Sequence, residues 1–151
     1  MPLAHLETSV GLLEVEARDG AIVRLGWERT GEAGSSPVLD AALAQLERYF
    51  AGTLTVFDLP LAPAGGAFQQ QVHAAMLAIP YGETRSYGEI ARDLGSYGQP
   101  VGRACGANPI PIIIPCHRVL SANGLGGYSG DGGTDTKIAL LRHEGGYPFL
   151  L

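Results

Sequence analysis

Only two cysteines, Cys105 and Cys116, occur among the 151 residues, so no disulfide framework can hold the chain together. Its opening, "MPLAHLETSV", has neither a basic start nor a long apolar stretch, and no later run approaches the length needed to span a bilayer. A cytoplasmic protein with reduced thiols and no membrane partner is therefore expected. Charge is scarce as well. Charged residues make up 17% of the chain, and the net charge is -5. The excess acid lies wholly in residues 1–66, where four arginines face nine carboxylates, whereas residues 67–151 balance at six and six. That distribution gives no overall attraction to nucleic acid and leaves only a local neutral or basic face in the second half. Internal repeats and low-complexity segments are absent. "GLGGYSG" does not open a phosphate-cradling loop and lacks its lysine. Cys105, Cys116, His117 and His143 fit no zinc-ligand spacing, so neither a metal nor another cofactor is expected.

What the chain has in quantity is glycine (22) and proline (10), which favour tight turns over long helices. Hydrophobic residues make up 46%, enough at this length to bury a core without staples. The order of elements indicates a mixed α/β (α+β) class with two parts. Residues 1–60 read as a strand-and-helix scaffold: a strand over Leu3–Thr8, a hairpin over Leu12–Trp27 turning at Asp19-Gly20, and a helix capped by Ser36 and ended by Gly52. "LPLAPAGGA" (59–67) reads as a linker. Residues 67–151 read as a mostly helical domain. An amphipathic segment stops before Pro80, and Ser86 with Glu89 forms a capping box for a short helix ended by Gly95. Another short helix starts at Pro100 and ends near "GANP", making a helix-turn-helix candidate with the one before it. "IPIIIP" (110–115) follows as a strand-like run, then a glycine-rich loop and a last helix capped by Gly145.

The run leads straight into Cys116 and His117. A thiol reacts as its thiolate, which a neighbouring base can generate. In a strand the two side chains would point to opposite faces, so a reactive pair requires a break in the alternation or a bridging water. Otherwise Cys116 is an inert core thiol. His143-Glu144 closes the last helix, and a carboxylate accepting from an imidazole fixes its tautomer and makes it a better base. Cys116, His117 and Glu144 are thus candidates for a thiol–imidazole–carboxylate relay. The plainer alternative is that Glu144 is a solvated helix-end charge.

"IPCHRV" (114–119), a loop ending "GYSG" (127–130) and a helix ending "HEG" (143–145) resemble the O6-alkylguanine-DNA alkyltransferases, also called methylated-DNA–protein-cysteine methyltransferases. "SYGEIA" (86–91) and "GANP" (106–109) match the same family in order, so the resemblance covers residues 68–145. It implies a monomer that binds double-stranded DNA containing O6-alkylguanine through a helix-turn-helix in the minor groove. The damaged base is flipped, and its alkyl group passes irreversibly to the protein's own cysteine in a single turnover. Carried over by position, Cys116 is the nucleophile, His117 its base through a water, and Glu144 the residue orienting the imidazole. Tyr87 promotes flipping and donates a proton to the purine. Tyr128 and Ser129 close over the base, Asn108 braces the turn leading to the active site, and Pro111 borders the pocket. Gly98, Gly102 and Ala104 let the recognition helix sit close to the groove, and Arg118 bonds backbone carbonyls.

Two departures stand out. Gln99, followed by Pro100 at the helix start, occupies the place of an arginine that in the family fills the gap left by the flipped base. Arg85, Arg92 and Arg103 are the only nearby candidates for phosphate contacts. Both weaken the expected hold on DNA. They keep alive an alternative, an alkyltransferase-like protein that binds the lesion without transferring the group, although such proteins usually replace the cysteine. A cysteine hydrolase is a third possibility, but nothing upstream of Cys116 specifies its substrate cleft or oxyanion hole.

Overall fold

In the computed structural model, residues 2–122, 124–128, 130 and 132–146 are described. The expected mixed α+β architecture is what it contains. The chain divides into two compact units, residues 1–64 and 65–151.

In the first unit, β1 (Leu3–Thr8), β2 (Gly11–Arg18) and β3 (Ala21–Gly26) form an antiparallel meander. Asp19 and Gly20 take φ of 52° and 78°, the paired left-handed conformations of a two-residue hairpin turn that an Asp-Gly dipeptide tolerates. The helix α1 (Pro37–Phe50) begins where the Ser36 hydroxyl accepts from the Leu39 amide at 3.3 Å. Its fully buried Leu39, Ala42, Leu46 and Tyr49 recur at helical spacing and pack across the three strands. Glu14 is buried on β2. Burial by itself would raise its carboxyl, but hydrogen bonds from Thr30, His5 and Arg24 outweigh it and hold the group down at about 2. The segment expected to be a linker starts later than 59: Ile22 bonds both Pro60 and Ala62 through its backbone at 2.8 Å, so residues 60–62 extend the sheet.

The second unit holds α2 (Ala67–Leu77), β4 (Arg85–Ser86), α3 (Tyr87–Leu94), α4 (Gly98–Gly106), a 3₁₀ turn at Cys116–Arg118, β5 (Val119–Leu120) and α5 (Thr134–Glu144). The capping box at Ser86 and Glu89 is formed in both directions, and left-handed Gly95 ends α3. α4 starts at Gly98, so Pro100 lies inside its first turn, where a missing N–H costs nothing. β4 pairs in parallel with β5, Arg85 opposite Val119 and Ser86 opposite Leu120. This ties the first residue of α3, Tyr87, to the segment just after the Cys116 turn. Among the described residues, no helix is long and apolar enough to cross a membrane.

The apolar run 110–114 is not a strand. It is a buried turn in which the Ile113 amide donates to the Pro111 carbonyl at 2.9 Å and the Ile114 amide to that of Ile110 at 2.9 Å. Ile112 has φ of 73°, a left-handed conformation that a β-branched residue adopts at a cost of about 1–3 kcal/mol. The Asn108 side chain holds the turn shut, donating to the Ile114 carbonyl at 2.8 Å and accepting from the Ile110 amide at 3.0 Å. A continuous hydrophobic run shows that a segment is buried but not its backbone form. Here an amide side chain takes over the hydrogen bonds a neighbouring strand would have made.

Candidate active site

A cavity of about 460 Å³ opens between α3, α4 and the glycine-rich loop, within the size range of small-molecule pockets. Its walls come from Tyr87, Tyr128, Cys105 and Cys116, with Gly102 and Gly106 of α4 and Gly127 of the loop. Gly126 sets how close the loop lies to α3. At φ of 76°, a Cβ there would meet the Tyr87 ring at 3.0 Å. Larger residues are thus excluded on both conformational and steric grounds.

The 3₁₀ turn breaks the alternation that a strand would impose on Cys116 and His117. Cys116 faces the cavity, while the fully buried His117 turns to α5, its Nε2 lying 2.7 Å from Glu144 Oε2. Arg118 takes the same carboxylate from the other side, its Nε 2.8 Å from Oε1 and its Nη2 3.0 Å from Oε2. A third bond runs from Arg118 Nη1 to the Ile79 carbonyl at 2.7 Å. The expectation that Arg118 bonds backbone carbonyls holds at Ile79, but its main partner is Glu144, because a buried guanidinium needs a countercharge that carbonyls do not supply.

This arrangement decides the proton chemistry. Burial lowers the basicity of His117, outweighing the opposing pull of Glu144, so the imidazole is neutral. Its Nε2–H is committed to the carboxylate, which leaves the lone pair on Nδ1. That atom is buried and has no hydrogen-bond partner among the described residues. Burial pushes the Cys116 thiol up to about 11, only partly offset by the Asn108 side chain and the charge of Lys137. A thiol so high is protonated at neutral pH and needs a base to react. Burial raises Tyr87 to about 12, so its hydroxyl stays protonated and can donate. Tyr128 is raised by burial in the same way.

Two wall or support residues carry no warning in a motif. Cys105 lies on α4 and lines the same cavity as Cys116, its thiol pushed up to about 12 by burial. Lys137, the chain's single lysine, is fully buried and donates from Nζ to the Val119 carbonyl at 2.6 Å and the Gly127 carbonyl at 2.9 Å. It thereby fastens the glycine-rich loop to β5, and burial lowers its amine to about 8. A signal was available: Lys137, Leu140, Leu141 and Glu144 recur at helical spacing, so both charges sit in the apolar stripe of α5.

The other expected site residues lie elsewhere. Gly98, Gln99, Pro100 and Arg103 are on the first two turns of α4 and outside the cavity wall, with Gln99 and Arg103 exposed. Ala104 is not on the outer face with Gly98 and Gly102. It is buried, and its carbonyl accepts from Gln69 at 2.7 Å, because residue 104 falls on the side of α4 turned to α2. Gly106 continues the open face instead. Pro111 is buried in the isoleucine turn and is not among the wall residues. Arg85 is engaged by Asp93 at 2.8 Å, which lessens its availability to a phosphate. Ser129 lies outside the described residues.

Comparison with known proteins gives a consistent picture. A methylated-DNA–protein-cysteine methyltransferase of Mycolicibacterium paratuberculosis is 44% identical over 149 residues, 92% of this chain and 89% of that one. The crystal structure of Mycobacterium tuberculosis O6-methylguanine methyltransferase superposes with a TM-score of 0.84 at 39% identity, covering 99% of this chain and 96% of that one. A structure of the Mycobacterium tuberculosis protein in complex with DNA gives 0.86 at 43% identity, covering 96% and 93%. Residues 67–146, which hold the cavity, Cys116 and the buried His117–Glu144 pair, match the family described as 6-O-methylguanine DNA methyltransferase, DNA binding domain. The chain belongs to this family, that of the methylated-DNA–protein-cysteine methyltransferases.

Proposed function

We propose that the protein repairs O6-alkylguanine in duplex DNA by taking the alkyl group onto Cys116 once and irreversibly. The observation that carries this reading is a thiol on a cavity wall, joined in sequence to a neutral buried imidazole whose other nitrogen is held by Glu144. A hydrolase would release its product. A thioether to a simple alkyl group, by contrast, has no easy route of hydrolysis.

The step balances as follows. His117 Nδ1 removes the thiol proton, directly or through a water, as Cys116 Sγ attacks the alkyl carbon. The new S–C bond forms while the C–O6 bond breaks, and its electron pair moves into the purine. Tyr87, protonated at neutral pH, donates to the ring, so that neutral guanine leaves. Proximity does much of the work, since in-line attack needs an aligned sulfur above all. A base stacked in a duplex cannot reach a thiol on such a wall, so the guanine must leave the stack. The helix-turn-helix of α3 and α4 would carry the protein on the minor groove, with the uncrowded Gly98 and Gly102 admitting close approach.

Intact-protein mass spectrometry after incubation with a duplex carrying one O6-methylguanine tests the reading. A gain of one methyl on the peptide holding Cys116, and none in Cys116→Ser, is expected. No gain with a titratable thiol would favour the lesion-binding alternative, which the exposed Gln99 and the small number of basic side chains near α4 support.

A further inference from the structure

Tyr97 is the residue that neither the relay nor the cavity uses. It stands at the N-cap position of α4, in the turn of the helix-turn-helix, yet its side chain makes no capping hydrogen bond. It is 80% exposed, more than Val56 (74%) or Leu77 (49%), the other large hydrophobic residues left open among those described. Gly98, immediately after it, has open space where a Cβ would lie, so the backbone beside Tyr97 is uncrowded. A flat aromatic held out at the tip of a DNA-reading motif gains nothing from water.

The cavity supplies the reason for it. Delivering a base to Cys116 empties one place in the stack, and the duplex recloses unless something flat occupies the gap. Gln99 is exposed on the same tip but has only a small amide to offer. A tyrosine ring presents a full π face, and base–aromatic stacking is worth about 1–3 kcal/mol.

We propose that Tyr97 is a positioning residue for this reaction, its ring entering the base stack and holding open the place vacated by the guanine. The inference rests on the alkyl-transfer reading above. Two measurements keep their failures apart. Transfer to the protein is timed by mass from a duplex carrying O6-methylguanine and, in parallel, from the free base O6-benzylguanine, which needs no flipping. Separately, 2-aminopurine placed beside the lesion reports unstacking in Cys116→Ser protein, where chemistry is off.

Tyr97→Ala is expected to slow transfer from the duplex by about tenfold or more. It should leave transfer from the free base unchanged and shrink the 2-aminopurine rise, while Tyr97→Phe and Tyr97→Trp keep all three. An alanine variant with undiminished duplex transfer and fluorescence would overturn the proposal. So would equal loss on both substrates, which would place the ring's role in the fold or the pocket. If the wild-type protein transfers from neither substrate, the alkyl-transfer reading falls, and dependence of the fluorescence on Tyr97 alone decides this one.

Discussion

Replacing Glu144 with glutamine should damage stability and chemistry together, and the two effects can be sized separately. The Glu144 side chain is 1% exposed and that of Arg118 8%, and two hydrogen bonds of 2.8 and 3.0 Å join them. Removing one partner of such a pair costs about 3–5 kcal/mol, because the other charge stays buried without compensation. Glutamine is isosteric and still offers one acceptor oxygen, so the lower end, about 3 kcal/mol, is expected. At about 2–4 °C per kcal/mol for a chain of this size, the melting temperature should fall by about 6–12 °C. Arg118 will claim the remaining oxygen, which turns the amide NH₂ towards His117. Nε2 must then accept, the ring proton moves to Nδ1, and the lone pair proposed to take the thiol proton is lost. General-base contributions of about 10²–10⁴ set the expected fall in the transfer rate. Differential scanning calorimetry and timed mass spectrometry read the two effects. In Arg118→Met/Glu144→Gln the losses should sum to less than the singles, since the stranded charge is gone. A single variant that melts like the parent and transfers at the parent rate would refute the reasoning.

Other consequences follow from the same site. Burial lowers both His117 and His73, so below the ordinary histidine value the unfolded chain takes up protons that the folded chain refuses. Stability should therefore be full above about pH 6.5 and decline as pH falls from there, with a shallower decline in His73→Asn. A melting temperature that stays flat or rises on acidification would contradict this. Lys137→Met removes the cation that helps lower the Cys116 thiol and the tether between Gly127 and Val119. Alkylation of Cys116 by iodoacetamide, and transfer from the free base, should both slow, and an unchanged labelling rate would remove Lys137 from the site. Arg92 and Arg103 are the exposed cations of α3 and α4, so the logarithm of DNA affinity should fall with the logarithm of salt with a slope of about -2. A slope several times steeper would reveal phosphate contacts elsewhere on the surface.

Local chemistry explains which features could be read from the letters. The Asp19-Gly20 turn, the Ser36 cap, the Ser86–Glu89 box and the stop at Gly95 depend on residues within four positions of each other, and each formed as its residue types require. The family, too, was legible in "IPCHRV" and the segments around it, because the proposed thiol relay would need particular side chains in a particular order. Tertiary structure alone decided the rest. The isoleucine run became a turn because the Asn108 amide lies within reach of its backbone groups, and Arg118 met Glu144 across 26 residues of sequence. Cys105 became part of the cavity wall because α4 turns that face towards Cys116. The protonation states were settled last. A neutral histidine, a protonated thiol and a lysine lowered to about 8 all follow from how much water the packed chain removes from each group, a quantity that no window of sequence contains.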